Sequence, residues 1–271
     1  MEKTTNRFAV LGAGNMGTAL LKGLLDSRVD ASRILVTTKR KERAKHLAAT
    51  LGVGVAESNL AAAEASDIVI LSVKPQILSR VLDELRGMSA PLYISVAAGV
   101  PTRVIERQIG NSPRVVRAMP NTPAFIKEGA TALAAGEHAR ETDVELAKTI
   151  FEQVGECVVV DEVHIDAVTG LSGSGPAYVM LIIEAFSDAG VKVGLSREIA
   201  MQLAVQTLRG SAGLLQRTGE HPGRLKDQVT SPGGTAIAGL HTLEAGGLRT
   251  TIMNAVESAT KRARELGREH E

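Results

Sequence analysis

The feature that most constrains the fold is a change of rhythm near residue 163. From Arg7 to about Glu162, short runs rich in Val, Ile and Leu alternate with helical stretches such as Met16–Ser27 and Ile77–Arg86. The predicted strands are Arg7–Leu11, Arg33–Thr38, Ile68–Val73, Leu92–Ala97, Arg114–Ala118, Ala130–Ala134 and Glu156–Val160. Uninterrupted apolar runs of this length are typical of strands covered by helices on both faces. The first part therefore predicts a doubly wound α/β sheet.

The remainder, from His164 onward, has the pattern of an all-α domain. A helix is predicted from Ser196, a suitable N-cap, to Arg217, and its apolar residues occupy more than one face. A domain of this size rarely covers such a helix by itself, so the sequence predicts an intertwined homodimer. The charged segment after Lys261 predicts a solvated helix end. The expected division is 1–163 for the sheet domain and 164–271 for the helical dimerisation domain.

Composition excludes several classes of partner. The formal net charge is +1, which gives no general attraction to nucleic acid or to an anionic membrane. No segment approaches the length of apolar sequence that a membrane span requires. The single cysteine, Cys157, cannot form an internal disulfide, and the cytoplasm is the expected compartment. The six histidines are scattered without metal-ligand spacing, so no metal is expected.

A glycine-rich turn follows the first predicted strand directly and opens a helix. It reads Gly12-Ala13-Gly14-Asn15-Met16-Gly17. The first glycine permits a tight turn, the second permits close approach of a pyrophosphate, and the third lets the helix pack on the strand. Amides and the positive helix dipole would then face the phosphates. This context predicts a Rossmann-type dinucleotide-binding domain.

The end of the second predicted strand indicates which dinucleotide is bound. NAD sites place an acidic residue there, on the ribose hydroxyls. This chain instead has Thr37-Thr38-Lys39-Arg40-Lys41, whose hydroxyls and cations suit a 2′-phosphate. We therefore expect NADPH, with NADH as the less preferred alternative. Charge runs also occur simply as solvated helix starts, which is the structural alternative.

Two further strand ends are expected to contact the ribose and nicotinamide, because ligands of open α/β sheets lie beyond the carboxyl ends of strands. One is Ser72-Val73-Lys74-Pro75, and the other is Ala97-Ala98-Gly99. Lys74 could act as a catalytic acid, although a positioning role for its cation is favoured. The connection around Asn121 either flanks the nicotinamide or is only a proline-stiffened loop.

The helical half carries two glycine-rich motifs. The segment from Gly170 to Ala177 is expected to break one helix and open another, with Pro176 near the new helix start. Later, Ser231-Pro232-Gly233-Gly234-Thr235 leads into a helix and presents successive amides at its N-terminus. Such a loop is typical of carboxylate binding, and the structural alternative is a simple connection between helices.

Together these motifs resemble the pyrroline-5-carboxylate reductase family, nearly from end to end. The resemblance is carried by the glycine turn 12–17, by Val73–Gln76, by Asp166–Tyr178 and by Ser231–Thr235. It implies NADPH-dependent reduction of the C=N bond of 1-pyrroline-5-carboxylate to L-proline, the last step of proline biosynthesis. It also implies a homodimer, in some members a ring of dimers, and a substrate site shared between subunits.

Residue roles follow from the resemblance by position. It implies that Gly14, Asn15 and Met16 touch the pyrophosphate, and that Thr38, Lys39 and Asn59 lie at the 2′-phosphate end. It places Glu162 near the ring of the substrate, the loop Ser231–Thr235 on its carboxylate, and Gln228 near the cofactor. Many relatives have a second threonine where this chain has Ala236. The protonating group is therefore left unassigned, with Thr235 and Lys74 as candidates.

Two other classes of protein share part of this pattern. A β-hydroxyacid dehydrogenase also joins a Rossmann domain to helices, but it places a Lys and an Asn where this chain has Val179 and Ile182. Alcohol oxidation would then lack its proton-transfer group. A non-catalytic NADP-sensing module would need the glycine turn but not the loop Ser231–Thr235, so that loop counts against it.

Overall fold

The computed structural model describes residues 5–269. The outermost residues of the two expected domains, 1–4 and 270–271, lie outside the described part. The described chain forms one eight-stranded sheet and a series of helices, the last six of which follow one another without strands between them.

The sheet has the strand order of a Rossmann fold with an extension. Its strands are β1 Phe8–Leu11, β2 Ile34–Thr37, β3 Gly54–Val55, β4 Ile68–Leu71, β5 Leu92–Ser95, β6 Arg114–Met119, β7 Gly129–Ala135 and β8 Gly155–Val159. The spatial order is β3-β2-β1-β4-β5-β6-β7-β8. The first six strands are parallel, whereas β7 runs antiparallel to β6 and parallel to β8. The doubly wound fold class is therefore confirmed.

The helices connect these strands and then continue alone. They are α1 Asn15–Asp26, α2 Lys41–Leu51, α3 Asn59–Glu64, α4 Pro75–Glu84, α5 Thr102–Ile109, α6 Glu141–Phe151, α7 Ile165–Val168, α8 Gly175–Lys192, α9 Arg197–Thr218, α10 Pro222–Gln228, α11 Thr235–Ala245 and α12 Leu248–Arg268. Strands β1, β4 and β5 are buried along their whole length, and the two faces of the sheet carry separate apolar clusters. Within residues 5–269, no helix combines the length and the hydropathy that a membrane crossing requires.

Several sequence-based expectations need correction. Strand β3 was missed because only two residues pair, and the antiparallel direction of β7 was not anticipated. Strand β8 was expected to be covered on both faces, yet Val158 and Val159 are 56% and 51% exposed. The segment Gly170–Ala177 opens a new helix as expected, since α8 begins at Gly175, directly before Pro176. The π-helical turn over Thr169–Gly173 that precedes it was not anticipated; in this turn the Ser174 amide donates to the Thr169 carbonyl at 2.8 Å.

The compact units also differ from the expected division. One unit contains the residues up to Ser174 together with the segment from Glu257 onward, and the other is Gly175–Val256. The chain returns to the first unit because the end of α12 packs there: Ala263 is 4% exposed and Gly267 lies 3.2 Å, measured from an ideal Cβ, from the Gly99 carbonyl. One face of the segment after Lys261 is thus buried, where a solvated end was expected.

In the second unit, α8 and α9 pack closely through small residues. An ideal Cβ on Gly190 would lie 2.7 Å from the Ala200 Cβ, and Ala200 and Ala204 are buried. As expected, Ser196 caps α9, and its hydroxyl accepts from the Ile199 amide at 3.3 Å. Most of the larger apolar side chains of these two helices are exposed in the single chain, among them Met180, Leu181 and Leu203.

Candidate active site

The turn between β1 and α1 requires glycine at its first and third glycine positions. Gly12 has φ +92°, and an added Cβ would lie 2.7 Å from the Ser72 carbonyl oxygen. At Gly17 an added Cβ would lie 2.6 Å from the Gly12 carbonyl oxygen, so α1 approaches the turn as closely as backbone permits. Both glycines are thus required by the protein itself, as the motif predicts.

At Gly14, by contrast, no contact within the protein requires a glycine. Its φ is −74°, no protein atom lies within 4 Å of an ideal Cβ, and the residue is exposed at the N-cap of α1. The first helical amides, those of Asn15, Met16 and Gly17, have no intrahelical acceptor, as at any helix start. A side chain at Gly14 would extend into open space at the start of α1. The turn therefore fits the pyrophosphate of a dinucleotide.

The end of β2 carries a hydrogen-bonded chain. The Thr37 hydroxyl donates to Asn59 Oδ1 at 2.6 Å, and Asn59 Nδ2 donates to Glu84 Oε2 at 2.8 Å. Thr37 is buried, so its hydroxyl orients Asn59 and is not itself open to a ligand. Asn59 keeps one amide hydrogen for a ligand. The structure thus gives these two predicted cofactor residues different tasks.

The cations after β2 are free to meet an anion. Lys39, Arg40 and Lys41 are exposed, and among the described residues none of the three forms a salt bridge that fixes its side chain. Thr38 is half-buried, and its hydroxyl accepts weakly from the Arg40 amide at 3.4 Å. This arrangement agrees with a 2′-phosphate site at the predicted residues.

The predicted residues after β4 and β5 differ in accessibility. Ser72 is tied to β1 through its amide, which donates to the Leu11 carbonyl at 2.8 Å, and Lys74 is exposed at the N-cap of α4. After β5, Ala97 is buried, and Gly99, with φ +76°, approaches the end of α12, where an added Cβ would lie 3.3 Å from the Leu266 Cβ. Gly99 therefore serves internal packing.

Asn121 also has a structural task. It is 9% exposed, its Nδ2 donates to the Ser172 carbonyl at 3.1 Å, and its Oδ1 accepts from the Ala130 amide at 2.9 Å. These bonds join the π-helical turn to β7. Most of the polar capacity of Asn121 is used within the protein, which agrees with the alternative interpretation of this connection as a structural loop.

Glu162, expected beside the substrate ring, lies in a polar cluster at the start of α5. Its carboxylate accepts from the Thr102 amide and the Thr102 hydroxyl, both at 2.7 Å. Arg117, only 4% exposed, reaches Glu162 at 3.3 Å and Asp166 at 3.5 Å. The negative charge also suits the N-terminus of α5. Arg117 was missed by the sequence analysis because it lies inside a strand. Glu162 acts here as a clamp, in the sense that its carboxylate holds Thr102 at the start of α5.

The predicted carboxylate loop belongs to the second unit. Ser231–Gly234 forms a turn in which the Gly234 amide donates to the Ser231 carbonyl at 3.0 Å, with Gly233 at φ +67°. Pro at the second and Gly at the third position favour this turn. The Gly234 amide was expected to bind a carboxylate and is instead used inside the turn. The amides that open α11, beginning at Thr235, remain available.

A groove of about 550 Å³ adjoins this loop. Its lining includes Gly233, Gly234, Lys226 and His241, all from the second unit. Gln228, predicted to contact the cofactor, is the last residue of α10. The predicted site residues thus fall into two compact units: those from Gly12 to Glu162 in the first and those from Gln228 to Thr235 in the second.

Both parts of the chain match known family models. Residues 162–266 match a model described as pyrroline-5-carboxylate reductase dimerisation. Residues 7–99 match a model described as NADP oxidoreductase, coenzyme F420-dependent. The second match covers the glycine turn and the ends of β2, β4 and β5.

Full-length relatives agree with these matches. A pyrroline-5-carboxylate reductase from Methanosarcina acetivorans is 45% identical over 265 residues, covering 97% of this chain and 98% of that protein. The solved structure of a pyrroline-5-carboxylate reductase from Coxiella burnetii has a TM-score of 0.92 at 37% identity, covering 97% of this chain and 99% of that one. The Plasmodium falciparum enzyme, solved with NADP bound, has a TM-score of 0.88 at 32% identity over 98% and 99%. This chain therefore belongs to the pyrroline-5-carboxylate reductase family.

Proposed function

We propose that the chain reduces the C=N bond of 1-pyrroline-5-carboxylate to give L-proline, with NADPH as the preferred cofactor. The observation that carries the proposal is the turn at Gly14, where glycine stands in open space at the N-terminus of α1 and no internal packing explains it. A dinucleotide pyrophosphate fits that turn. The near full-length similarity to reductases of this substrate supports the choice of the cyclic imine.

The decisive test is a measurement of initial rates with pyrroline-5-carboxylate and each reduced nicotinamide. We expect imine-dependent oxidation of NADPH with a lower KM than for NADH, and rescue of a proline-requiring strain by the gene. A β-hydroxyacid should not be oxidised, since Val179 and Ile182 supply no proton-transfer group. NADPH oxidation that does not depend on the imine would contradict the proposal.

The reaction requires little acid catalysis by the protein. The nitrogen of a cyclic imine is basic enough for a protonated fraction to be present near neutral pH, and NADPH, when bound, supplies the hydride that adds to the carbon of the C=N bond. The chain then has to orient two reactants and exclude water, which is catalysis by positioning and preorganised electrostatics. Lys74 and Thr235 are the candidates for assisting the proton, and neither role is needed for this scheme.

The start of α11 is proposed to bind the carboxylate of the substrate. Support comes from the free amides that open the helix at Thr235 and from its exposed side chain. The adjoining groove is lined by Lys226 and, further along α11, by Glu244. A helix N-terminus favours an anion through its amides and its dipole.

Replacing Thr235 with Ala should raise the KM for pyrroline-5-carboxylate by about fivefold while kcat changes less than twofold, because one hydrogen bond to a charged group is lost. Steady-state kinetics at saturating NADPH measures both constants. Thr242→Ala is the matched control, since Thr242 is exposed on the same helix and its hydroxyl donates to the Ala238 carbonyl of that helix. An unchanged substrate KM for Thr235→Ala would contradict the assignment.

The exposed cations after β2 are proposed to select NADPH. The double change Lys39→Ala and Arg40→Ala should raise the KM for NADPH by about tenfold and leave that for NADH within about twofold, since only NADPH carries the 2′-phosphate. Lys45→Ala, which removes an exposed cation further along α2, is the control. An equal increase in KM for NADPH and for NADH would show that these cations do not bind the 2′-phosphate.

The helical part is proposed to form a homodimer, and rings of dimers would be a further assembly. Support comes from the dimerisation model and from large apolar side chains left exposed on α8 and α9, among them Leu181 at 67% and Leu203 at 54%. Surfaces of this kind are typical of obligate interfaces. Nucleic acid and membrane are not proposed as partners.

Leu181→Glu should convert the dimer to a monomer at micromolar concentration, because two carboxylates would be buried in the interface. Sedimentation velocity measures the mass of the particle. Ile126→Glu, at an exposed apolar residue of the first unit, is the control and should leave the mass unchanged. A parent protein that is already monomeric would contradict the dimer.

The cytoplasm is the proposed compartment. Support comes from the single free thiol of Cys157, which is half-buried on β8. Burial raises the pKa of Cys157 to about 11, so the thiol is protonated and unreactive near neutral pH.

A further inference from the structure

Arg43, on the first turn of α2, is bound to the glycine turn of the cofactor site. Its Nε donates to the Ala13 carbonyl at 3.1 Å, and one terminal nitrogen donates to the Thr18 hydroxyl at 2.8 Å. The side chain is half-buried between α1 and α2. Two directed bonds from one planar guanidinium fix both acceptors relative to each other.

The Thr18 hydroxyl extends this connection by one further bond. It donates to the Gly14 carbonyl at 2.7 Å, beside the helical bond from the Thr18 amide at 2.9 Å. The Gly12 carbonyl is occupied in turn by the Gly14 amide at 2.8 Å. Arg43 therefore holds the Ala13 carbonyl directly and the Gly14 carbonyl through Thr18.

The consequence concerns the amide of Asn15. Because a peptide group is planar, fixing the Gly14 carbonyl also fixes the N–H of Asn15, which belongs to the same peptide group and points the opposite way. This amide is the first of the unpaired amides of α1. The positive charge of Arg43 is also directly hydrogen-bonded to the turn at Ala13, where it favours an anion.

We propose that Arg43 is a positioning residue for the dinucleotide, which acts on the pyrophosphate through Ala13 and Thr18. This inference rests on the proposed cofactor and adds a residue that the glycine motif does not contain. It separates two sets of cations: Lys39 and Arg40 select the 2′-phosphate, whereas Arg43 serves the part that NADPH and NADH share. Its contribution should therefore be equal for the two cofactors.

The experiment measures the Kd of NADPH and of NADH for the full-length protein by calorimetry, without substrate. Arg43→Met should raise both values by about tenfold, leaving their ratio within about twofold, because the lost bonds and charge act on the shared pyrophosphate. Thr18→Val should raise both by about threefold, because only the relay through the hydroxyl is lost. The KM for pyrroline-5-carboxylate should not change in either variant.

Two further measurements distinguish positioning from general effects. Arg43→Lys keeps the charge but not the planar guanidinium that makes both bonds, so less than half of the lost cofactor affinity should be recovered. The double variant Arg43→Met with Thr18→Val should lose less than the product of the two single changes, because Arg43 acts partly through Thr18. Arg86→Met removes an exposed arginine that follows α4 and serves as the control.

The outcomes that overturn the inference are distinct from failure of the proposed function. A loss of affinity confined to NADPH would indicate that Arg43 contacts the 2′-phosphate. Full recovery of cofactor affinity by Arg43→Lys would indicate that Arg43 acts through its positive charge alone. A lower unfolding temperature with unchanged Kd values would make it merely structural. A parent protein that binds neither cofactor would instead refute the proposed function itself.

Discussion

Gly14→Ala should leave the free protein as stable as the parent and raise the Kd for NADPH by about tenfold or more, because the added methyl occupies the approach to the pyrophosphate. Gly14 has φ −74°, and no protein atom lies within 4 Å of an added Cβ. The methyl group therefore costs the folded chain almost nothing in the absence of ligand. This prediction assigns the glycine to the cofactor and not to the fold.

In the matched variant Gly12→Ala, we expect the main effect on the stability of the free protein and not on NADPH binding. It should lower the free energy of unfolding of the free protein by about 3 kcal/mol, from backbone strain and overlap together. Gly12 has φ +92°, and its added Cβ would lie 2.7 Å from the Ser72 carbonyl oxygen. Urea unfolding of both variants at one protein concentration, followed by NADPH titration of the folded protein, measures the two effects separately. Normal NADPH binding by Gly14→Ala would exclude the turn as the pyrophosphate site.

Arg117→Met should lower the free energy of unfolding by about 3–5 kcal/mol, because it leaves two carboxylates in a partly buried cluster without their cation. Arg117 is 4% exposed and reaches both Glu162 and Asp166. Urea unfolding of the cofactor-free protein measures the loss. Adding Glu162→Gln to Arg117→Met should restore part of it, since one uncompensated charge is then removed.

The control for this prediction is Arg86→Met, which breaks an exposed pair with Asp83 and should cost less than about 1 kcal/mol. The single variant Glu162→Gln also tests two roles for that residue. If Glu162 is mainly a clamp on Thr102, stability falls and the substrate KM stays constant. If it contacts the substrate, the KM rises at constant stability. A stable Arg117→Met protein would show that the cluster contributes little.

Much of the architecture could be predicted from sequence because its causes are local. The apolar runs of the first 160 residues identify every parallel strand except the two-residue β3, and the glycine spacing at 12–17 identifies the dinucleotide turn. The Ser196 cap and the length of α9 follow from neighbouring residues as well. Hydrophobic periodicity and capping act within a few residues, so a linear chain displays them directly.

The features that sequence analysis missed depend on residues far apart in the chain. Thr102 and Glu162 are 60 positions apart, and Arg43 is 30 positions from Ala13. No feature of the neighbouring sequence indicates that Arg117, which lies in a strand of mostly apolar residues, contacts two carboxylates. The return of α12 to Gly99 moved the boundary of the compact units for the same reason.

By itself, then, the sequence determined the Rossmann-type sheet, the all-α second part and the glycine positions that admit a dinucleotide, since steric limits and periodicity are properties of short segments. Only the tertiary structure decided that Asn121 and Glu162 are engaged inside the protein, that the Gly234 amide closes its own turn, and that Arg43 holds the phosphate-binding turn. A polar side chain takes its role from the partners that folding brings to it, and those partners are set by packing across the whole domain.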